Sequence, residues 1–288
     1  MERLLNLEFT TICYANCVMC PRNVVKEQGY IDEETIDNVL EFAKQQQLFE
    51  ISISGRGEPT LHPNADSLLK RIHKLNVPLS IVTTTDGMKE KNYKKIIDNI
   101  DILRISVSSI KKETFKKIHK GLDYDKTWKM IDKIVQYAPE KIHIHLVGGS
   151  TIYDGIEETI KYFKNRNIDK IFLFPLWNRA GDLDNNEENY RKKIIDTYNI
   201  YYSEDEYMDE EKTKQLSRKT YCPVGDSSIM INYKGDFIGC FQDFANRTVI
   251  GNINDKKYND MLLKREACLG CMPVCQECNT KQVINHEY

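Results

Sequence analysis

Polar and apolar residues alternate along six short runs in the first 180 residues: LLNLEFTTI (4–12), EISIS (50–54), LSIVTTT (79–85), DILRISVSS (101–109), KIHIHLV (141–147) and KIFLFPLW (170–177). Alternation with period two predicts β-strands. The segments between them carry helical spacing. DEETIDNVLEFAKQQQ, for example, opens on Asp32, whose short carboxylate suits an N-cap. Strand starts recur every roughly 25–45 residues, the spacing of βα units, and such units build a parallel sheet. Six units fall short of a closed eight-stranded barrel. The expected fold is α/β: a partial (β/α)6 TIM-like barrel, with an open doubly wound sheet as the other arrangement.

The faces of these strands differ from those of an ordinary parallel sheet. Leu5, Leu7 and Phe9 oppose Asn6, Glu8 and Thr10; Ile51 and Ile53 oppose Ser52 and Ser54. Leu103, Ile105 and Val107 oppose Arg104, Ser106 and Ser108, and Ile142, Ile144 and Leu146 oppose His143, His145 and Val147. A sheet covered by helices on both faces reads as continuous apolar runs. One polar face instead predicts a curved sheet with helices outside and a polar interior that holds a polar ligand.

The pattern changes after residue 181. Residues 182–219 are acidic and tyrosine-rich and read as a connector with one or two exposed helices. Residues 220–288 hold six of the nine cysteines around SIMINYKGDFIGC, a β-hairpin signal. The expected organisation is therefore a barrel over 1–181, a connector over 182–219 and a small cysteine-rich hairpin-plus-helix domain over 220–288.

Composition narrows the class. With 41% hydrophobic residues the chain can bury a core, and its net charge of −2 gives no footprint for nucleic acid. Lysine-rich stretches such as KKETFKKIHKG alternate with acids and read as solvated faces. No signal peptide and no membrane-length apolar run is visible, so the chain is expected in the cytoplasm with reduced cysteines. An odd, clustered set of thiols then points to metal.

Cys13, Cys17 and Cys20 form C-x3-C-x2-C, three ligands where cysteine metal sites usually have four. One reading is zinc with a histidine, His62 or His73, completing the set. The triplet also resembles the signature of the radical S-adenosylmethionine (SAM) superfamily, placed after the first strand of an α/β chain. A second stretch strengthens the resemblance: Gly55, Arg56, Gly57 and Glu58, at the end of the second strand, resemble the superfamily's glycine-glycine-glutamate motif, with Arg56 in place of a glycine. The resemblance implies a [4Fe–4S] cluster on Cys13, Cys17 and Cys20, with the amino and carboxylate groups of SAM on the open iron. It implies a reaction that cleaves SAM to a 5′-deoxyadenosyl radical, which abstracts hydrogen from substrate. It further implies that residues 55–58 hold the SAM ammonium and that Met19 packs on adenine. Thr84, in a TTTDG stretch where Asp86 replaces the usual asparagine, and Ser106 and Ser108 on the fourth strand are the other SAM contacts. A one-electron reductant such as flavodoxin or ferredoxin is the implied partner.

Cys222 and Cys240, with Gly235 between them, resemble the opening of the SPASM and twitch domains, which carry auxiliary [4Fe–4S] clusters. The tail, Cys268-x2-Cys271-x3-Cys275-x2-Cys278, is tighter than a full SPASM tail. The preferred reading is at least one auxiliary cluster, held by Cys222, Cys240 and two tail cysteines; a zinc site on the tail is the other. Twitch-bearing relatives include dehydrogenases of aminocyclitols. The resemblance therefore implies oxidation of a small hydroxylated molecule, a sugar or cyclitol, with Arg104, His145 and Asp226 as candidate bases. The early position of Cys13, leaving no room for a leader-binding domain, favours this reading. The alternative is modification of a ribosomally made peptide by thioether or carbon–carbon crosslinking or epimerisation.

Overall fold

A computed structural model describes residues 3–21, 24–147, 154–174, 197, 200–202, 228–269 and 272–276. Six strands follow in chain order: β1 (Arg3–Leu7), β2 (Leu48–Ile53), β3 (Leu79–Thr83), β4 (Ile102–Ser106), β5 (Ile142–Val147) and β6 (Ile171–Phe174). Each pairs in parallel with the next. Helices α1 (Glu33–Lys44), α2 (Ala65–His73), α3 (Tyr93–Asp98), α4 (Lys112–Ile118), α5 (Tyr124–Tyr137) and α6 (Ile156–Lys164) fill the connections. This is the expected partial barrel. Asp32 caps α1 as its position suggested, accepting from the Thr35 N–H at 2.8 Å.

Two details depart from the sequence expectation. The first strand ends at Leu7 rather than at residue 12, because beyond it Thr10 bridges to Tyr30 and the chain bends toward the cysteines. Tyr201–Tyr202, expected in a helical connector, forms β7, parallel to β6, as suits the β-propensity of tyrosine.

The C-terminal strands extend the same sheet. β8 (Ser228–Ile231) pairs in parallel with β1, and β9 (Asp236–Ile238) and β10 (Val249–Asn252) follow antiparallel. The sheet order is β10-β9-β8-β1-β2-β3-β4-β5-β6-β7. The β8–β9 turn forms where sequence placed it, with Asn232 Oδ1 accepting from the N–H groups of Lys234 and Asp236. Helices α7 (Tyr258–Cys268) and α8 (Pro273–Gln276) complete the unit. It docks on α1, where Phe42 meets Phe237 and Tyr258 edge-on at 6.3 and 5.3 Å. Each such buried ring contributes roughly 1.5–3 kcal/mol.

The two strand faces separate as the alternation required. Leu5, Leu7, Ile51, Ile53, Leu103, Ile105, Ile144 and Leu146 are buried in the hydrophobic core. The opposite face holds buried Asn6, Glu8, Glu50, Ser52, Ser80 and Arg104. Arg104 is no free base. Its Nη1 and Nη2 donate to Glu50 Oε1 and Oε2 at 2.5 and 3.0 Å, and Ser80 bonds both partners. A buried guanidinium stays protonated in such a fork, so the pair braces the barrel floor. No helix among the described residues is long and apolar enough to cross a membrane.

Candidate active site

The chain leaving β1 carries the cysteine triplet to the C-terminal mouth of the barrel, where sites of such folds are built. Cys13, Cys17 and Cys20 are all half-buried. Burial, then the charges of the neighbouring Cys20 and Cys13, push the Cys17 thiol up to about 12. Among the described residues, no three His, Cys, Asp or Glu side chains converge on a single ion. A cubane needs no such point, because each thiolate binds its own iron. Neither zinc histidine is placed to help. His62 is buried with Nδ1 accepting from the Asn64 N–H and Nε2 against the Ile31 carbonyl, and His73 lies at the surface beside Asp101.

The loop after β2 lies against the approach to the triplet. A β-carbon on Gly57 would strike the carbonyl oxygens of Thr10 and Ile12, and the Glu58 N–H donates to Ile12 O at 2.8 Å. Glycine is required there by backbone contact. Arg56 turns the other way. Its Nε and Nη2 donate to buried Glu8 at 2.9 and 2.6 Å, and its backbone N–H also reaches Glu8, at 2.8 Å. With the Asn246 amide turned to satisfy its neighbours, the Asn246 oxygen accepts from Arg56 Nη1 at 2.8 Å. Arg56 thus ties the loop to the C-terminal unit.

Glu58 is buried and fully engaged. Oε1 accepts from the Thr60 N–H and from the Thr60 and Thr83 hydroxyls, and Oε2 from the N–H and hydroxyl of Thr84. The carboxylate thereby locks the ends of β2 and β3 together. Next to it Thr85 sits at φ +69, a left-handed conformation costly for a β-branched residue. At this end of β3 and β4 three buried oxygens have no partner among the described residues: Thr85 Oγ1, Asp86 Oδ2 and Ser108 Oγ. Orphaned buried polar atoms call for a ligand. Together with three thiolates, they fit a polar cofactor bound beside a cluster.

Residues 7–173, more than half of the chain, match the sequence profile of the radical SAM superfamily. The chain belongs to this superfamily. It is an enzyme, and membership implies SAM and a [4Fe–4S] cluster as its cofactors. Curated relatives include the GTP 3',8-cyclase of Helicobacter pylori, 28% identical over 75% of this chain and 68% of that protein. The GTP 3',8-cyclase of Alkaliphilus metalliredigens is 23% identical over 62% of this chain. The chain spans little more than half of that protein's length, 58%. The fold is also that of solved radical SAM structures. BtrN in complex with AdoMet and 2-DOIA covers 97% of this chain and 93% of its own at TM-score 0.60 and 18% identity. Streptococcus suis SuiB bound to S-adenosylmethionine covers 97% and 71% at TM-score 0.71 and 17% identity.

Other expected residues of this radical SAM chain fall as follows. Met19 is half-buried within the cysteine loop, and Ser106 lies on β4 opposite His145. His145 is buried on the polar face, its ring 4.5 Å from that of Phe174. In the C-terminal unit Gly239, beside Cys240, touches Met272 and accepts from Arg265 Nε. The β9 end thereby meets the stretch between Cys268, which ends α7, and Cys275 on α8. Cys222, Asp226, Cys271 and Cys278 lie outside the described residues.

One functional candidate escaped the sequence reading. His119 sits in the lysine-rich stretch read as a solvated face. Its lysines are exposed, but Thr114, Phe115, Ile118 and His119 point inward at helical spacing, and His119 Nδ1 lies 3.3 Å from Cys17 Sγ. Burial holds the imidazole down to about 4, so it is neutral. The one sequence signal was that helical phase, which places His119 in line with Phe115 and Ile118.

Proposed function

We propose that the enzyme oxidises a small hydroxylated molecule, such as a sugar or cyclitol, at a secondary alcohol. Bound SAM and its cluster supply a hydrogen-abstracting radical. The substrate alcohol, losing a hydrogen atom, a proton and an electron, becomes a ketone. The triplet Cys13, Cys17 and Cys20 holds the cluster. The loop 55–58 receives the SAM ammonium through its backbone, since Glu58 is spent on threonines. Met19, Thr84, Ser106 and Ser108 line the rest of the cofactor. His145 and Asp226 are the groups assigned to take the hydroxyl proton.

One observation carries this reading. Cys240 shares a cavity with Gly55 and Arg56, together with Met230, Ile238 and Asp243. An auxiliary cluster on Cys240, Cys222 and two tail cysteines would lie within electron-transfer reach of the SAM loop, as a one-electron oxidation requires. BtrN, whose structure contains 2-DOIA, shares the fold.

A second reading, a purine nucleotide as the hydroxylated substrate, is favoured by the relatives named GTP 3',8-cyclase. Incubation of the reconstituted enzyme with SAM, a strong reductant and panels of cyclitols, GTP and peptides separates them. The proposal expects substrate-dependent 5′-deoxyadenosine and a product two hydrogens lighter from a cyclitol or sugar. An isomeric cyclised product from GTP, or a crosslinked peptide, would replace it.

A further inference from the structure

The cysteine loop is clamped by the end of α4. The Asn16 N–H donates to Lys120 O at 2.6 Å and the Val18 N–H to Ile118 O at 2.9 Å. These two bonds bracket Cys17 on one strand of the clamp and His119 on the other. The next residue, Gly121, has φ +89, and a β-carbon there would press on Tyr14 O at 2.5 Å, so only glycine lets the two segments close. The side chains of Cys17 and His119 meet inside this clamp at 3.3 Å.

The direction of that contact is decided on the far side of the ring. The Ser108 backbone N–H points at His119 Nε2 at 3.2 Å. A backbone amide is only a donor, so Nε2 must offer its lone pair and the ring proton resides on Nδ1. Nδ1–H therefore donates and Cys17 Sγ accepts. His119 is 1% exposed, so water does not compete for its Nδ1–H.

We propose that His119 is a positioning residue for the SAM-binding cluster: its Nδ1–H···Sγ bond to Cys17 raises the cluster's reduction potential, making reductive chemistry accessible to a biological one-electron donor. An electron added to the cluster is shared with the thiolate sulfurs, and an N–H dipole aimed at one of them stabilises the reduced form more than the oxidised. The inference rests on the reading that Cys17 is a cluster ligand.

Three variants of the full chain test it. His119→Phe keeps a ring and removes both nitrogens. His119→Asn places an N–H where Nδ1 was. His119→Gln places its amide where Nε2 was, keeping the Ser108 tie without reaching sulfur. Iron and sulfide are counted, and the cluster whose EPR signal shifts on adding SAM is titrated against potential. At a fixed potential, Phe and Gln variants should show about a tenfold lower ratio of reduced to oxidised cluster, equivalent to about 59 mV. The Asn variant should recover most of it. Equal potentials in wild type and Phe variant, or in Asn and Gln variants, overturn the proposal. Should the variants assemble no cluster, pulsed EPR of the wild-type enzyme labelled with 15N-histidine decides. A 15N coupling to the reduced SAM-sensitive cluster supports the bond, and none overturns it. A Cys17→Ala chain that keeps full iron at this cluster would instead overturn the ligand reading, a distinguishable result.

Discussion

Thr84 donates to the same oxygen of Glu58 twice, through its backbone N–H and its hydroxyl, both at 2.8 Å. The motif glutamate therefore acts first as a clamp between β2 and β3, and the geometry of the loop 55–58 depends on it. Glu58→Gln converts one accepting oxygen into a donor facing buried donors. A loss of about 2–3 kcal/mol is expected, from charge-assisted bonds forfeited and a donor left unpaired. Urea denaturation measures it, and a change below about 0.5 kcal/mol, at the level of a neutral surface substitution, would contradict the clamp.

Gly57→Ala places a methyl group against the carbonyls of Thr10 and Ile12. Backbone cannot rotate away as a side chain can, so the loop and the cysteine approach must separate. The expected result is a chain that folds but binds SAM at least tenfold more weakly, read by isothermal titration of the reconstituted enzyme. Unchanged affinity would mean that the loop is not held where the cofactor binds.

The brace at the barrel floor predicts an asymmetry. Glu50→Gln leaves the Arg104 guanidinium, 2% exposed, without its carboxylate, and about 3–5 kcal/mol of stability should be lost. Replacing both residues by methionine removes the charges together and should cost less than either single change. A double-mutant cycle showing simple additivity would sink the coupling.

Acid should destabilise the metal-free chain through His119. The sign follows from linkage. Burial depresses the folded pKa to about 4, below the ordinary value of 6.5 in the unfolded chain. Between these values the unfolded chain takes up a proton that the folded one refuses. Stability is full above about pH 6.5 and falls as pH drops toward 4, by about 3 kcal/mol in all. His119→Phe should flatten this segment of the stability–pH curve; an unchanged slope would assign the acid sensitivity to other groups.

Much of the fold was legible because β-strand faces are written locally. Period-two alternation in 101–109 told that Leu103 and Ile105 oppose Arg104, and Asp32 announced the start of α1. The cofactor class was legible in C-x3-C-x2-C and GRGE, since their chemistry depends on neighbours in sequence. Less legible were the residues whose meaning lies in a distant partner. Arg104 read as a possible base because nothing near it reveals Glu50, 54 positions away. Arg56, standing where the motif has a glycine, gave no sign of its partners until Glu8 and Asn246 were brought to it.

Sequence alone determined the alternating faces, the parallel order of βα units and the open-sided cysteine set, all properties of adjacent residues and their spacing. Only the tertiary structure decided what the polar face does. It closed Glu50 on Arg104, saturated Glu58 with threonines, and set Cys240 beside Gly55 and Arg56. It also brought His119 to Cys17 across 102 positions. The reason is geometric: a hydrogen bond is specified by distance and direction, and for residues far apart in the chain both exist only once α4 has packed back against the mouth of the barrel.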